Sequence, residues 1–371
     1  MRIDIDTLPM TVPGQALSIT RLRFGEEGRL PKVYIQAGLH ADEAPGHLVA
    51  HHLREHLTLL EREKRIPGEI VLVPCANPIG LAQIVLGTLQ GRFALADGKN
   101  FNRGFPDITD PVLAAIETRL GADLATNRRM VGAALKQAVA AFAARSAVEH
   151  LKKSLLLEAI DADLVLDLHC DGEAAMHLYT HTAQAADFEP LARYLGAKAQ
   201  LFADVSGDNP FDEAISRPWT ALAERFPNAN LPRCGLATTI ELRGEAEVDH
   251  ALAQADAMAI LDFLAFRGAI DRVLAAPPAP LCQPTPLAGS EALEAPTAGV
   301  IVYRREPGNW VEAGDLIAEI LDPVAGIAQA VRARTTGMFY ARTAARYAAP
   351  GRRLGKIAGR TPFRTGKLLS P

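Results

Sequence analysis

Short apolar runs that stop at glycine or polar residues, each followed by a helical stretch, constrain this chain more than any other feature. The runs are KVYIQA at 32–37, EIVLVPC at 69–75, LVLDLH at 164–169, AAMHLYT at 174–180 and the segment 236–242. Between them, apolar residues recur at helical spacing over about 44–60, where Leu48, Leu53, Leu57 and Leu60 make one stripe. Helices are predicted from 111 to 160, with a break near 121–126, and at 186–196, 212–226 and 247–268. Continuous apolar strands alternating with helices predict an α/β layer fold, its mixed or mainly parallel sheet covered by helices. With 49% hydrophobic residues in 371, a sizeable core is affordable.

The organisation changes after residue 275. Residues 276–288 are proline-rich (APPAPLCQPTPL lies within them) and predict an extended linker between an α/β domain, 1–275, and a small all-β domain, 289–371. In the second domain, segments 295–320 and 332–357 resemble each other. Each places one strand after an early glycine (Gly299, Gly337) and one after a late glycine (Gly314, Gly351). This pattern resembles the β-sandwich of biotinyl and lipoyl domains. No lysine stands in the first turn around residues 306–309, so a structural likeness without the swinging cofactor is expected.

Charge excludes some functions. The 39 basic residues against 43 acidic ones, net −4, do not supply the positive surface that coats nucleic acid. No apolar run approaches the ~20 residues that cross a bilayer. The N-terminus, MRIDIDTLPMTVPGQ, lacks the basic-then-apolar order of a secretory signal. Four scattered cysteines form no CxxC pair, so a reducing cytoplasm is expected.

The chemistry concentrates at strand ends. Gly38-Leu39-His40-Ala41-Asp42-Glu43 lies where a strand gives way to a helix, and His169 ends the run Asp167-Leu168-His169. Two imidazoles and a carboxylate are the ligand set of a catalytic zinc with one position open to water. HxxE also arises by chance, and a lone strand histidine also suits a hydrogen-bonded core position. Glu241 ends another strand, TIEL, and Asn100-Phe101-Asn102-Arg103 lies in the long irregular stretch 79–110, whose length and composition favour a functional loop.

Together GLHADE (38–43), NP (77–78), NFNRGFPD (100–107), DLH (167–169) and TIEL (239–242) resemble the succinylglutamate desuccinylase/aspartoacylase family, related to the zinc carboxypeptidases. The resemblance covers about residues 30–270. It implies a three-layer domain with a mixed central sheet and one Zn2+ per subunit held by His40, Glu43 and His169. It further implies Asn102 and Arg103 as substrate binders and Glu241 as general acid/base. The reaction implied is hydrolysis of the amide of a small N-acyl amino acid, by a protein that can be a homo-oligomer. A guanidinium suits bidentate binding of a substrate carboxylate.

Arg92 is a further candidate for the scissile carbonyl or oxyanion, although its spacing departs from the aspartoacylase pattern. Arg243, in Glu241-Leu242-Arg243-Gly244, shares a face with Glu241 if the strand stays extended, and then either meets an anionic substrate or pairs with Glu245 or Glu247. Asp167 either orients an imidazole or bonds elsewhere in the sheet, and Cys170 is expected to pack. The pairs His47/His51 and His52/His56 are expected on a solvated helix face. Competing readings are a carboxypeptidase-like zinc peptidase and a metal-binding protein without catalysis.

Overall fold

The computed structural model describes residues 1–9 and 13–369. The chain opens with an antiparallel hairpin, β1 (Arg2–Leu8) and β2 (Leu17–Gly25), followed by β3 (Lys32–Ala37), α1 (Ala44–Arg62) and β4 (Glu69–Val73). A short α2 (Pro78–Leu81) and the small hairpin β5 (Ile84–Val85) and β6 (Thr88–Leu89) begin the irregular stretch. Three helices follow, α3 (Thr109–Ile116), α4 (Leu124–Ala141) and α5 (Ala147–Ala159). Asp123 caps α4, and Ser146 with Glu149 forms a reciprocal capping box on α5. These caps set the two breaks in the region, of which the sequence pattern showed only the first.

Next come β7 (Leu164–Asp171), β8 (Glu173–Ala174), β9 (His177–His181), α6 (Ala185–Tyr194), β10 (Ala199–Ala203), α7 (Phe211–Arg225), β11 (Leu236–Gly244) and α8 (His250–Phe266). The sheet has nine strands in the order β1-β2-β4-β3-β7-β11-β9-β10-β12, where β12 is Pro284–Pro286. Its centre, β4-β3-β7-β11, is parallel, while β2 and β9 run antiparallel to their inner neighbours. The hairpin β1–β2 and the strand β10 add to what the apolar runs predicted.

Side chains alternate between two cores. Val33, Ile35, Leu164, Leu166, Leu168 and Ile240 pack under α1, α6 and α8. Tyr34, Val165 and Ala237 face α3, α4, α5 and α7. This is the three-layer α/β/α arrangement. The two-residue period puts Gln36, Asp167, His169, Thr239 and Glu241 on the second face as well, where a polar cleft replaces the core at the carboxyl ends of the strands. The chain leaves β3 for β4 on one side, whereas β7 has β11 on the other. A crevice at such a switch in strand order is where open α/β sheets bind ligands.

The proline-rich segment is not linker throughout. Pro284–Pro286 pairs in parallel with Gln200–Phe202 at the sheet edge, where proline costs least. The rest is a β-sandwich of β13 (Ser290–Glu294), β14 (Gly299–Tyr303), β15 (Asn309–Val311), β16 (Leu316–Asp322), β17 (Ile327–Arg332), β18 (Gly337–Arg342), β19 (Tyr347–Ala348) and β20 (Arg353–Gly359). The two glycine-spaced units form β14 with β16 and β18 with β20. Each unit's middle strand crosses over, β15 pairing with β18 and β19 with β14. Neither unit is complete alone.

The sandwich also continues into the α/β domain. Ala341 and Arg342 pair with Ala174 and Glu173. The run 174–180 is thus divided between two sheets, β8 serving the C-terminal one and β9 the central one.

Candidate metal centre

Gly38 ends β3 at φ +72, and a Cβ there would stand 2.1 Å from His47 Cε1. Only glycine accepts both the left-handed conformation and the close ring. The turn it makes presents His40. His47 lies beneath, bonded to the carbonyls of Pro74 at 2.8 Å and Ala41 at 3.3 Å, so it braces this loop and is not on a solvated face.

Glu43 occupies the cap position of α1 but makes no capping hydrogen bond. Its carboxylate turns to the cleft instead. Oε1 lies 2.8 Å from His40 Nδ1, Oε2 lies 2.8 Å from His169 Nδ1, and the backbone N–H of Cys170 donates to Oε2 at 3.0 Å. A forgone N-cap is worth about 1 kcal/mol, a concession expected at a functional site.

The outer nitrogen of each imidazole meets an acceptor. His40 Nε2 faces Asn100 Oδ1 at 2.8 Å, and His169 Nε2 faces Asp167 Oδ2 at 2.9 Å. Asp167 is itself held by Gln36 Nε2 at 2.9 Å, and Gln36 Oε1 accepts from the Tyr34 hydroxyl at 2.8 Å. Nε2–H donation to these outer acceptors is the tautomer that would leave each Nδ1 free for a metal, and both Nδ1 atoms face the same carboxylate, that of Glu43.

His40, Glu43 and His169 are buried, and their candidate ligand atoms lie within 4.8 Å of one another. Two nitrogens, a carboxylate and a tautomer-fixing outer partner on each ring fit one zinc ion. Asp167 therefore orients an imidazole. Replacing it with Asn is expected to weaken zinc binding about 10–100-fold, read by competition with a chromogenic chelator; unchanged affinity would remove that role.

Burial and then Arg92 push His40 down to about 4. Burial also opposes charge on His169, but Asp167 and Glu43 outweigh it and hold its pKa well above the usual value. Burial alone would raise Glu43, yet the two imidazoles hold it well below the carboxylate range.

Glu241 lies opposite His169 in the parallel β7–β11 register. Burial, then Glu43 and Asp171, push its carboxyl up to about 8, and its Oε2 has no hydrogen-bond partner among the described residues. It lines the same cavity of about 440 Å³ as His40 and His169, a volume suited to a small molecule.

Asn102 connects the two halves of this wall. Its Nδ2 is 3.4 Å from His169 Nε2, and its Oδ1 accepts from Phe211 N at 2.9 Å. Arg103 follows it into the cavity. Arg92 Nη1 stands 3.3 Å from Glu43 Oε1. It is placed by Gly91, whose carbonyl accepts from Ala41 N at 3.0 Å and where a Cβ would meet Asp42 N at 2.1 Å.

Arg243 is the correction. The strand bulges between Glu241 and Gly244, and Arg243 adopts φ +63. The bulge breaks the alternation, so Arg243 leaves the face of Glu241. Its guanidinium grips Asp256 on α8 at 2.5 and 3.1 Å, with Glu247 at 3.8 Å, and it does not line the cavity. The solvated-face expectation for His52 also fails, since it is buried with Nε2 3.1 Å from His250 Nδ1.

Three kinds of residue escaped the sequence reading. Asn100 could have been seen as a partner in the NFNR run. Lys356 could not, because it comes from β20, 185 residues from Asp171, whose Oδ2 it bonds at 2.5 Å on the cavity wall. Asp212 and Glu213 stand in the first turn of α7, where acids are common, so residue type alone does not mark them.

A buried His-Glu-His cluster with a non-ligating carboxylate nearby, at the carboxyl edge of a three-layer mixed sheet, defines a metal-dependent hydrolase of the amidohydrolase type. The family described as Succinylglutamate desuccinylase/Aspartoacylase catalytic domain matches residues 29–267, and this chain belongs to it.

A putative member from Shewanella amazonensis SB2B superposes with a TM-score of 0.87 at 27% identity, over 96% of this chain and 98% of the other. Another from Shewanella frigidimarina NCIMB 400 gives 0.85 and 27%, over 96% and 97%. The product-bound ectoine utilization protein EutE (DoeB) from Ruegeria pomeroyi, at 16% identity, TM-score 0.66 and coverage of 96% and 95%, shares the fold. No curated protein matches the sequence.

Proposed function

We propose that this protein removes a short acyl group, such as acetyl or succinyl, from a small N-acyl amino acid. The observation that carries this reading is the buried Glu241, with one oxygen unpartnered among the described residues, beside the His40–Glu43–His169 cluster in a small cavity.

Bound at that cluster, a zinc ion would polarise the acyl carbonyl and acidify a water molecule. Glu241 takes the proton of the attacking water and returns it to the departing amine. Arg103 and Asn102 hold the substrate carboxylate, and Arg92 offers its N–H groups to the oxygen on which charge develops. The β-sandwich closes the cavity with residues 341–343 and 352–356. That wall favours a compact N-acyl amino acid over a peptide, so the carboxypeptidase reading ranks second.

A cytoplasmic site of action belongs to the same proposal, supported by four free cysteines. Among the described residues no helix is long and apolar enough to cross a membrane.

The test is a panel of N-acetyl and N-succinyl amino acids against blocked dipeptides with zinc-loaded protein. Faster cleavage of the dipeptides would reverse the ranking. Within the panel, Arg103→Lys is expected to lower kcat/KM about 10–100-fold, the value of a charge-assisted hydrogen bond of about 1.5–3 kcal/mol. The loss should be much smaller on substrates whose carboxylate is blocked as an amide; an equal loss on both would take Arg103 off the carboxylate.

A further inference from the structure

Asp212 and Glu213 follow Phe211, the first residue of α7, whose N–H donates to Asn102 Oδ1. Both line the cavity, at 8% and 6% exposure. The helix dipole explains acids in a first turn, but it leaves unexplained why these two are sealed into a substrate cavity. Neither forms an ion pair among the described residues. Burial pushes Asp212 up to about 7, and its next-largest influence is a second acid, Glu213.

Glu213 is held in place through one oxygen, Oε1, which accepts from Ser206 N at 2.6 Å. Among the described residues its other oxygen, Oε2, has no hydrogen-bond partner. The same is true of Ser206 Oγ and Thr180 Oγ1, whose residues are 4% and 5% exposed and line the same cavity. A buried oxygen without a donor costs about 1–3 kcal/mol, so this wall is built for a donor that arrives with the ligand. Two carboxylates and two hydroxyls match an ammonium, which has three N–H donors, no acceptor and a positive charge.

The opposite requirement sits close by. Arg103 feels both Asp212 and Glu213 electrostatically and lines the same wall.

We infer that the amine half of the substrate carries a second, positively charged nitrogen: its carboxylate goes to Arg103 and Asn102, and its side-chain ammonium goes to Asp212, Glu213, Ser206 and Thr180. This rests on the deacylase reading and narrows it to N-acylated diamino acids. The cavity then has a cationic and an anionic pole, and an N-acyl dicarboxylic amino acid would bring its second carboxylate against buried acids.

The experiment compares N-acetyl diamino acids, from 2,3-diaminopropionate to lysine, with isosteres in which a methyl group replaces the terminal ammonium. N-acetylaspartate and N-acetylglutamate complete the set. Turnover is measured on zinc-loaded protein, and binding of the free amino-acid products is measured separately by calorimetry. At least one diamino acid is expected to exceed its isostere tenfold or more in both readouts. In Asp212→Asn and Glu213→Gln, each shown to be folded by its melting curve, that ratio should collapse toward unity. Parity across the wild-type series, preference for the dicarboxylic substrates, or an undiminished ratio in both variants would overturn the inference. If no N-acyl amino acid is hydrolysed, the deacylase reading fails, while the calorimetric ratio still decides the ammonium site.

Discussion

Glu241→Gln is expected to lower kcat about 10²–10⁴-fold, the usual contribution of a positioned general acid/base, while the protein still binds one zinc per chain. The substitution is nearly isosteric, and no hydrogen bond to Oε2 is lost because none exists among the described residues. What disappears is the capacity to accept and return a proton. Turnover close to that of the wild type would end the assignment; zinc content, measured by elemental analysis, separates this result from simple loss of the metal.

The same residue gives a thermodynamic signature without turnover. In chelated protein its carboxyl is pushed up to about 8, whereas in the unfolded chain it titrates near about 4.3. Between those values the native state holds a proton that the unfolded state has released. Stability from this group therefore falls as pH rises through the interval. Wild-type protein in chelator should lose melting temperature between about pH 5 and 8 relative to Glu241→Gln in the same buffer. A constant difference across that range would mean that the buried carboxyl is not the titrating group.

Removing a ligand should have the second large effect. His169→Ala takes one imidazole from a three-residue set, and a full ligand shell is worth about 10–16 kcal/mol. One ligand's share corresponds to a loss of zinc affinity on the order of 10²–10⁴-fold, with activity lost at limiting zinc. The variant also leaves Asp167, fully buried and held by Gln36, without its imidazole. An unpaired buried charge costs about 3–5 kcal/mol, so the melting temperature should drop even in chelator. Chelator competition and calorimetry read the two effects separately. Retention of tight, stoichiometric zinc by His169→Ala would place the metal elsewhere.

The residues closest to the chemistry were legible because each ends a strand or starts a helix. Apolar runs located β3, β7 and β11; the parallel pairing of β7 with β11, which sets His169 opposite Glu241, came from the tertiary structure. The local period of two also sorted Asp167 onto the face of His169. It failed at Arg243, since a bulge with positive φ turns the side chain away toward Asp256, and nothing in Glu-Leu-Arg-Gly announces a bulge. The N-terminal hairpin and β10 were passed over because strands near an edge carry weaker apolar patterns: Arg2–Leu8 has exposed and half-buried residues at all but its last position.

The sequence alone determined the sheet–helix alternation, which rests on residue type and local spacing; the candidate ligands His40, Glu43 and His169 and the carboxylate Glu241 came from short motifs whose combination resembles the family. The tertiary structure alone decided what closes the cavity and what charge lines it. Lys356 and Arg342 arrive from the C-terminal sandwich, and Asp212 and Glu213 become cavity walls only when α7 packs its first turn against Asn102. Local periodicity is set by backbone geometry and can be read along the chain. Convergence of side chains 185 positions apart, as for Asp171 and Lys356, is set by how whole layers pack, which no local pattern encodes.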